Sequence, residues 1–189
     1  MIETVDDIKT IANVGTGTMG HAITLQFALS GYPVHLVGRG EASLEKAMKR
    51  FVRMPRTLPK PDYSRMATPW TRCWPASPVT RLCERRGGRG LRHRIRGREP
   101  DIKKSVWAEV EHAAPKDAIL STNTSGLSPT ALQSVLKKPE RFVVAHFWNP
   151  AQLMPLVEVV PGEKTDPKVV DITFDLMAKI GKKPAVLRH

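Results

Sequence analysis

Residues 11–20, Ile11-Ala12-Asn13-Val14-Gly15-Thr16-Gly17-Thr18-Met19-Gly20, decide the fold. The apolar run over residues 8–14 reads as a short buried strand, and the glycines follow it at once. Met19, Ile23, Phe27 and Ser30 then recur at helical spacing, with Leu25 and Leu29 widening the apolar stripe, until Ser30-Gly31 ends the helix. Residues 33–37 read as a second strand and residues 41–51 as a second helix. A strand, a helix and a strand this close in sequence form a parallel pair with a right-handed crossover.

Within that unit the G-x-G-x-x-G spacing has a physical reading. Gly15 makes the tight turn, Gly17 lets the backbone approach a pyrophosphate, and Gly20 permits close helix packing, while the helix N-terminus at Thr18 and Met19 faces the anion. A bare strand-to-helix turn is the plain alternative. An acid that accepts the ribose hydroxyls is expected at the end of the second strand, but Gly38-Arg39 stands there. Arg39 with no acid beside it favours a 2′-phosphate, and so NADP over NAD. The other reading has Arg39 solvated and Glu41 standing in for the acid.

The pattern fails from Met54 and returns at Asp101. Residues 54–100 have no period of either strand or helix and read as a poorly packed loop. Beyond them Asp101 can cap a helix over residues 102–112, with Val106, Val110 and Ala113 on one face. Residues 118–121, 142–145 and 156–160 read as strands. Ser128-Pro129 opens a helix, and Thr165-Asp166-Pro167 opens another with Val170, Phe174 and Met177 inward and Gly181 as its stop. Residues 185–187 begin a last strand. Strands alternating with helices over 189 residues indicate one α/β domain, a Rossmann-type doubly wound and mostly parallel sheet with a disrupted middle segment.

Composition bounds the function. A chain that is 41% hydrophobic and 25% charged is globular rather than disordered. No apolar run approaches the roughly 18 residues of a membrane helix, and the N-terminus is acidic where a signal peptide would be basic, so a cytosolic protein with no membrane partner is expected. The net charge of +12 raises nucleic acid as a partner, but residues 72–98 hold nine arginines against one acid, Glu84, and carry +8 of it. From Arg85 to Arg98 there is no helical phase, no aromatic interleaving and no finger spacing, so nucleic-acid binding is the weaker reading. Cys73, Cys83 and His93 contain no C-x-x-C pair, and no metal site is expected.

Asn123-Thr124-Ser125-Gly126-Leu127, His146-Phe147-Trp148-Asn149-Pro150 and Leu156-Val157-Glu158-Val159-Val160 form a second constellation. In an open α/β sheet the strand C-termini and the loops after them face the ligand crevice. Ser125 follows a strand and His146 ends one. A histidine oriented by a carboxylate is the usual base for a hydroxyl proton, and Glu158 is the nearest candidate downstream. A satisfied strand-end histidine is the plain alternative.

These segments resemble the 3-hydroxyacyl-CoA dehydrogenases of fatty acid β-oxidation, including the 3-hydroxybutyryl-CoA enzymes, over residues 1–53 and 101–189. The resemblance implies that His146 takes the 3-hydroxyl proton as hydride passes from C3 to the nicotinamide. It further implies that Glu158 orients and stabilises the imidazolium, that Ser125 hydrogen-bonds the substrate oxygen, and that Lys103, Asn123 and Asn149 lie on the cofactor side. It implies an acyl-CoA substrate and a homodimer. In that family a helical C-terminal domain makes the dimer and closes over the acyl-CoA, starting at a Pro-Gly-Phe segment with an active-site asparagine. The sequence stops at Leu187-Arg188-His189, before that segment. The expectation is therefore a truncated chain with no C-terminal helical domain, impaired in turnover even with its base in place; a non-catalytic remnant is the competing reading.

In place of residues 54–100 the family has a helix, an acidic turn and a central strand of the type Ala-Asp-Leu-Val-Ile-Glu-Ala-Val. Clustered Arg, Cys, Trp, Pro and Gly is what GC-rich codons give when read out of register. With freely chosen synonymous codons, residues 83–97 shifted by one base can yield an acidic, Ala- and Ser-rich segment that fits the family. We expect residues 68–100 to be translated out of frame. Reading the gene in all three forward frames from codon 54 checks this, and the expectation fails if no shifted frame encodes an acidic turn and an apolar strand.

Overall fold

The computed structural model describes residues 2–38, 40–52 and 100–187. Arg39 lies outside them, as do residues 53–99, on which the expected loop, the reading-frame question, the stretch from Arg85 to Arg98 and Cys73, Cys83 and His93 all fall. The chain opens on a 3-10 turn, Val5–Asp7, in which the Asp7 carboxylate accepts from the backbone N–H groups of Glu3 and Thr4. β1 (Ile11–Val14), α1 (Thr18–Leu29), β2 (Val34–Val37) and α2 (Glu41–Val52) follow. β1 and β2 pair in parallel with Ile11 opposite Val34 and Val14 opposite Val37. β1 starts three residues later than the apolar run suggested and is not fully buried, with Val14 50% exposed. The early turn and its carboxylate cap hold the chain before Ile8, which shortens the strand. Gly31, at φ +87°, ends α1 in the left-handed conformation that glycine adopts without penalty, and the Tyr32 N–H donates back to the Phe27 carbonyl.

The second half comprises α3 (Pro100–Ala113), β3 (Leu120–Thr122), α4 (Pro129–Gln133), a 3-10 turn (Pro139–Arg141), β4 (Phe142–Phe147), β5 (Leu156–Pro161), α5 (Pro167–Lys179) and β6 (Lys183–Val186). Pro100 takes the first position of α3, where its missing N–H costs nothing, so Asp101 sits inside the first turn and is not the cap. α4 and α5 begin as expected, each with proline first and with Ser128 Oγ and Asp166 Oδ1 accepting from Ala131 N and Lys168 N. Phe174 is only half-buried. The inward stripe of α5 is Val169, Val170, Ile172, Thr173, Leu176 and Met177, and Phe174 stands at its margin.

Among the described residues the strands form two sheets, β1–β2 and β3–β4–β5–β6 in that order. The pairings are parallel except β4–β5, which is antiparallel with His146 opposite Glu158. The mixed α/β architecture with mainly parallel strands is the expected one. Alternate residues of β4 face opposite ways. Val143 packs with Val159 and with Val169 and Val170 of α5. Ala145, Phe147 and Val157 pack with Leu176 and Met177 and with Ala22, Ile23 and Phe27 of α1. On the other face Phe142 joins Leu120, Leu132 and Leu136, with the Trp107 ring of α3 edge-on at 5.0 Å. His146 shares the parity of Phe142 but keeps 21% of its side chain exposed. No helix among the described residues is long and apolar enough to cross a membrane.

α1 is the link between the two sheets. Its other side packs Leu25 against Leu36 of β2 and Ala47 of α2. The Phe27 ring lies 6.1 Å from Tyr32 and 6.3 Å from Phe147, and Gln26 Nε2 donates to the Ile180 carbonyl at 2.8 Å. Phe27→Ala is accordingly expected to cost about 3–5 kcal/mol. Urea denaturation checks this: a loss below about 1 kcal/mol would mean that this ring is not what joins the two units.

Candidate functional site

Two groups of residues make the site. The first is the loop between β1 and α1. Gly15 turns the chain at φ +128°, a backbone conformation closed to side chains, while its N–H stays bonded to the Val37 carbonyl at 2.8 Å. A Cβ on Gly20 would collide with the Gly15 carbonyl, so loop and helix can approach only because position 20 has no side chain. A Cβ on Gly17 would meet nothing within 4 Å. The space over Gly17 is open, and it would be filled by any larger residue. The first helical donor of α1 is His21 N, bonded to the Gly17 carbonyl, so the N–H groups of Thr18, Met19 and Gly20 have no acceptor within the helix. No side chain caps this end. A glycine cradle with unbonded donors and a positive helix end fits a pyrophosphate. Asn13 Nδ2 holds the arrangement by donating to the Gly20 carbonyl at 2.5 Å and to Thr24 Oγ1 at 2.7 Å.

The second group gathers at the ends of β3, β4 and β5. The β4–β5 register puts His146 opposite Glu158, and His146 Nδ1 lies 2.8 Å from Glu158 Oε2. An ionised carboxylate only accepts, so the ring proton of neutral His146 is on Nδ1 and the lone pair is on Nε2. The pair is partly buried, at 21% and 23% side-chain exposure, which protects the bond while leaving the ring reachable. Phe147 N donates to Asn123 Oδ1 at 2.6 Å, tying the loop after β3 to the residue next to His146. Lys103 Nζ donates to Thr124 Oγ1 at 3.0 Å, and Thr124 in turn bonds Thr122 Oγ1 at 2.9 Å. Burial holds the Lys103 ammonium below the usual lysine range.

The structure therefore brings His146, Glu158 and Asn123 together and sets the Lys103 ammonium, from α3, against the loop that carries Asn123. Ser125 and Asn149 are exposed, and no hydrogen bond among the described residues joins either to the His146–Glu158 pair. Arg39 is outside the described residues. Sequence reasoning missed Trp148, whose ring is 44% exposed and lies 5.8 Å from the His146 ring, and Thr124, which receives Lys103. The alternating Thr122-x-Thr124 was the available signal for the second; Trp148 lies past the strand end, where a two-residue period no longer applies. Among the described residues no cluster of three or more His, Cys, Asp or Glu could hold a metal.

Comparison with known proteins gives the family. The family model for the 3-hydroxyacyl-CoA dehydrogenase NAD-binding domain matches residues 10–68 and 98–189, leaving out the residues that hold most of the arginine block. The chain is 34% identical over 194 residues to the fatty acid oxidation complex subunit alpha of Pseudomonas aeruginosa (strain LESB58), covering 98% of this chain and 26% of that one. It is 46% identical over 89 residues to the L-carnitine dehydrogenase of Mesorhizobium japonicum, covering 47% of this chain and 24% of that one. Among solved structures, 3-hydroxybutyryl-CoA dehydrogenase of Escherichia coli K12 matches with a TM-score of 0.69 and 29% identity, over 94% of this chain and 38% of that one. The chain spans about a quarter of the length of the fatty acid oxidation subunits it matches. It belongs to the 3-hydroxyacyl-CoA dehydrogenase family through the NAD-binding domain.

Asn123→Ala removes the acceptor of the Phe147 N–H without touching His146. Losing a partly buried bond of this kind costs about 1–2 kcal/mol, so the Phe147 amide is expected to exchange with solvent roughly tenfold faster. Hydrogen exchange read by NMR checks this, and unchanged protection would mean that Asn123 does not hold the end of β4.

Proposed function

We propose that this member of the 3-hydroxyacyl-CoA dehydrogenase family is, over residues 1–189, the dinucleotide-binding part of an oxidoreductase acting on a 3-hydroxyacyl-CoA. The observation that carries the reading is the 2.8 Å bond between His146 Nδ1 and Glu158 Oε2, which leaves Nε2 as the basic nitrogen of a partly exposed ring. His146 receives the 3-hydroxyl proton at Nε2. Glu158 keeps the ring in the productive tautomer and stabilises the imidazolium that results. Ser125, on the exposed turn after β3, hydrogen-bonds the substrate oxygen.

Gly15, Gly17, Thr18, Met19 and Gly20 would hold the pyrophosphate, and Lys103, Asn123 and Asn149 the nicotinamide side. When bound, NAD supplies the hydride acceptor. Arg39, by its charge and the lack of a neighbouring acid, extends the choice to NADP. The helical substrate and dimer domain of the family is not among residues 1–189, so turnover by this chain alone is slow. L-carnitine is a second candidate substrate, because an exposed indole face beside the base suits a quaternary ammonium group.

Quenching of protein fluorescence by NADH and NADPH measures binding, and oxidation of 3-hydroxybutyryl-CoA or L-carnitine, followed as NADH formed, measures turnover. His146→Gln is expected to keep NADH affinity within about twofold and to lower the rate by about 10²–10⁴. Equal rates in His146→Gln and the parent would overturn the role of His146. Failure of the parent to bind either dinucleotide would overturn the whole reading.

A further inference from the structure

His146 and Glu158 sit on the two strands of one hairpin, and residues 148–155 connect them. The middle of that connection is a tight turn in which Leu153 N and Met154 N both donate to the Pro150 carbonyl, at 3.0 and 2.9 Å. The turn's own Ala151 and Met154 carbonyls cannot be satisfied from within it. Lys182 satisfies them. It follows the left-handed Gly181 at the end of α5, is 8% exposed, and sends its ammonium to Ala151 O at 2.6 Å and Met154 O at 3.0 Å. One residue later Lys183 N donates to the Pro155 carbonyl at 2.8 Å, so the chain entering β6 holds the connection over residues 151–155.

A buried ammonium is costly, and a carboxylate commonly repays the cost. No salt bridge to Lys182 occurs among the described residues. Among the described residues its hydrogen-bond partners are those two carbonyls, and burial holds it below the usual lysine range. Ala151, beside Pro150, is fully buried in the cluster that contains Phe147, whereas Trp148 and Asn149 on the other side of the proline are exposed. The turn is therefore anchored through its buried residues, directly beside the exposed pair Trp148 and Asn149.

We propose that Lys182 is a positioning residue, which fixes the turn over residues 150–154 and through it sets Trp148 and Asn149 against His146. This rests on the reading of His146 as the base, but the placement of Trp148 can be tested without it. Lys182 does not touch the reacting atoms. It acts by denying the connection a second arrangement.

The test uses the full chain with Lys182→Met, which keeps the stem and removes the donors, and Lys182→Arg, which keeps them. The readouts are the indole N–H resonance of Trp148, assigned with Trp148→Phe, NADH binding, and turnover of 3-hydroxybutyryl-CoA. The expected result is that Lys182→Met folds, binds NADH within about twofold of the parent, shifts or splits the Trp148 resonance, and loses at least tenfold in kcat with the KM for NAD unchanged. Lys182→Arg is expected to return the resonance and most of kcat. An unmoved Trp148 resonance in folded Lys182→Met overturns the proposal. So does a Lys182→Met and Lys182→Gln pair that both fail to fold, since the lysine then serves the whole core and not this turn. The reading of His146 stands or falls with His146→Gln, whereas the Trp148 resonance decides the role of Lys182 whatever the rate of the parent.

Discussion

The register of β4 against β5 is the constraint on which the site depends. A slip of one residue in a strand pair sends every side chain to the other face. Here a slip of β5 would put Val157 or Val159 in the place of Glu158, and a slip of β4 would put Ala145 or Phe147 in the place of His146, all four of them buried. The apolar residues between them therefore do the aligning, at a cost for any alternative of several buried side chains. The His146–Glu158 bond is a consequence of that alignment and needs no stabilising energy of its own, as suits a partly exposed hydrogen bond.

α1 places the second half of the site by the same means. Its first turn offers bare N–H groups to the loop, and its sides bury Ala22, Ile23 and Phe27 against one sheet and Leu25 against the other. Met19, in that first turn, packs on the cluster holding Phe147, the residue after His146. The uncapped end of α1 and the strand end that carries His146 are thus tied to one apolar cluster. Nothing polar bridges them directly among the hydrogen bonds described, so their spacing is set by the packing of side chains that take no part in the chemistry.

How much of this was legible in the sequence follows from the range of the interactions. Most signals carried by neighbouring residues were readable: the glycine loop, the Ser128-Pro129 and Asp166-Pro167 starts, and the Gly181 stop, though Asp101 was read as a cap that the proline before it displaces. The His146–Glu158 pair was legible as residue types at a spacing, but its contact depends on a hairpin register, which periodicity does not fix. Three features were missed for one reason. The inward stripe of α5, the acceptor of Lys103 and the grip of Lys182 all depend on which element lies opposite, which one helix or strand does not encode. The early 3-10 turn was missed because its cap is a single carboxylate, Asp7, within an acidic run that read only as charge.

The net charge can now be set beside the site. Of the +12, residues 72–98 carry +8, and the family model passes over residues 69–97. The charged groups of the described site are each committed locally: Glu158 to His146, Lys103 to Thr124, Lys182 to two carbonyls. A surface that binds nucleic acid needs cations free to meet phosphates along a groove. This site has the opposite arrangement: its carboxylate is bonded to His146, and its open donors lie at the uncapped end of one helix. The total charge therefore says little about the chemistry, and its distribution along the chain says most of what can be read from it.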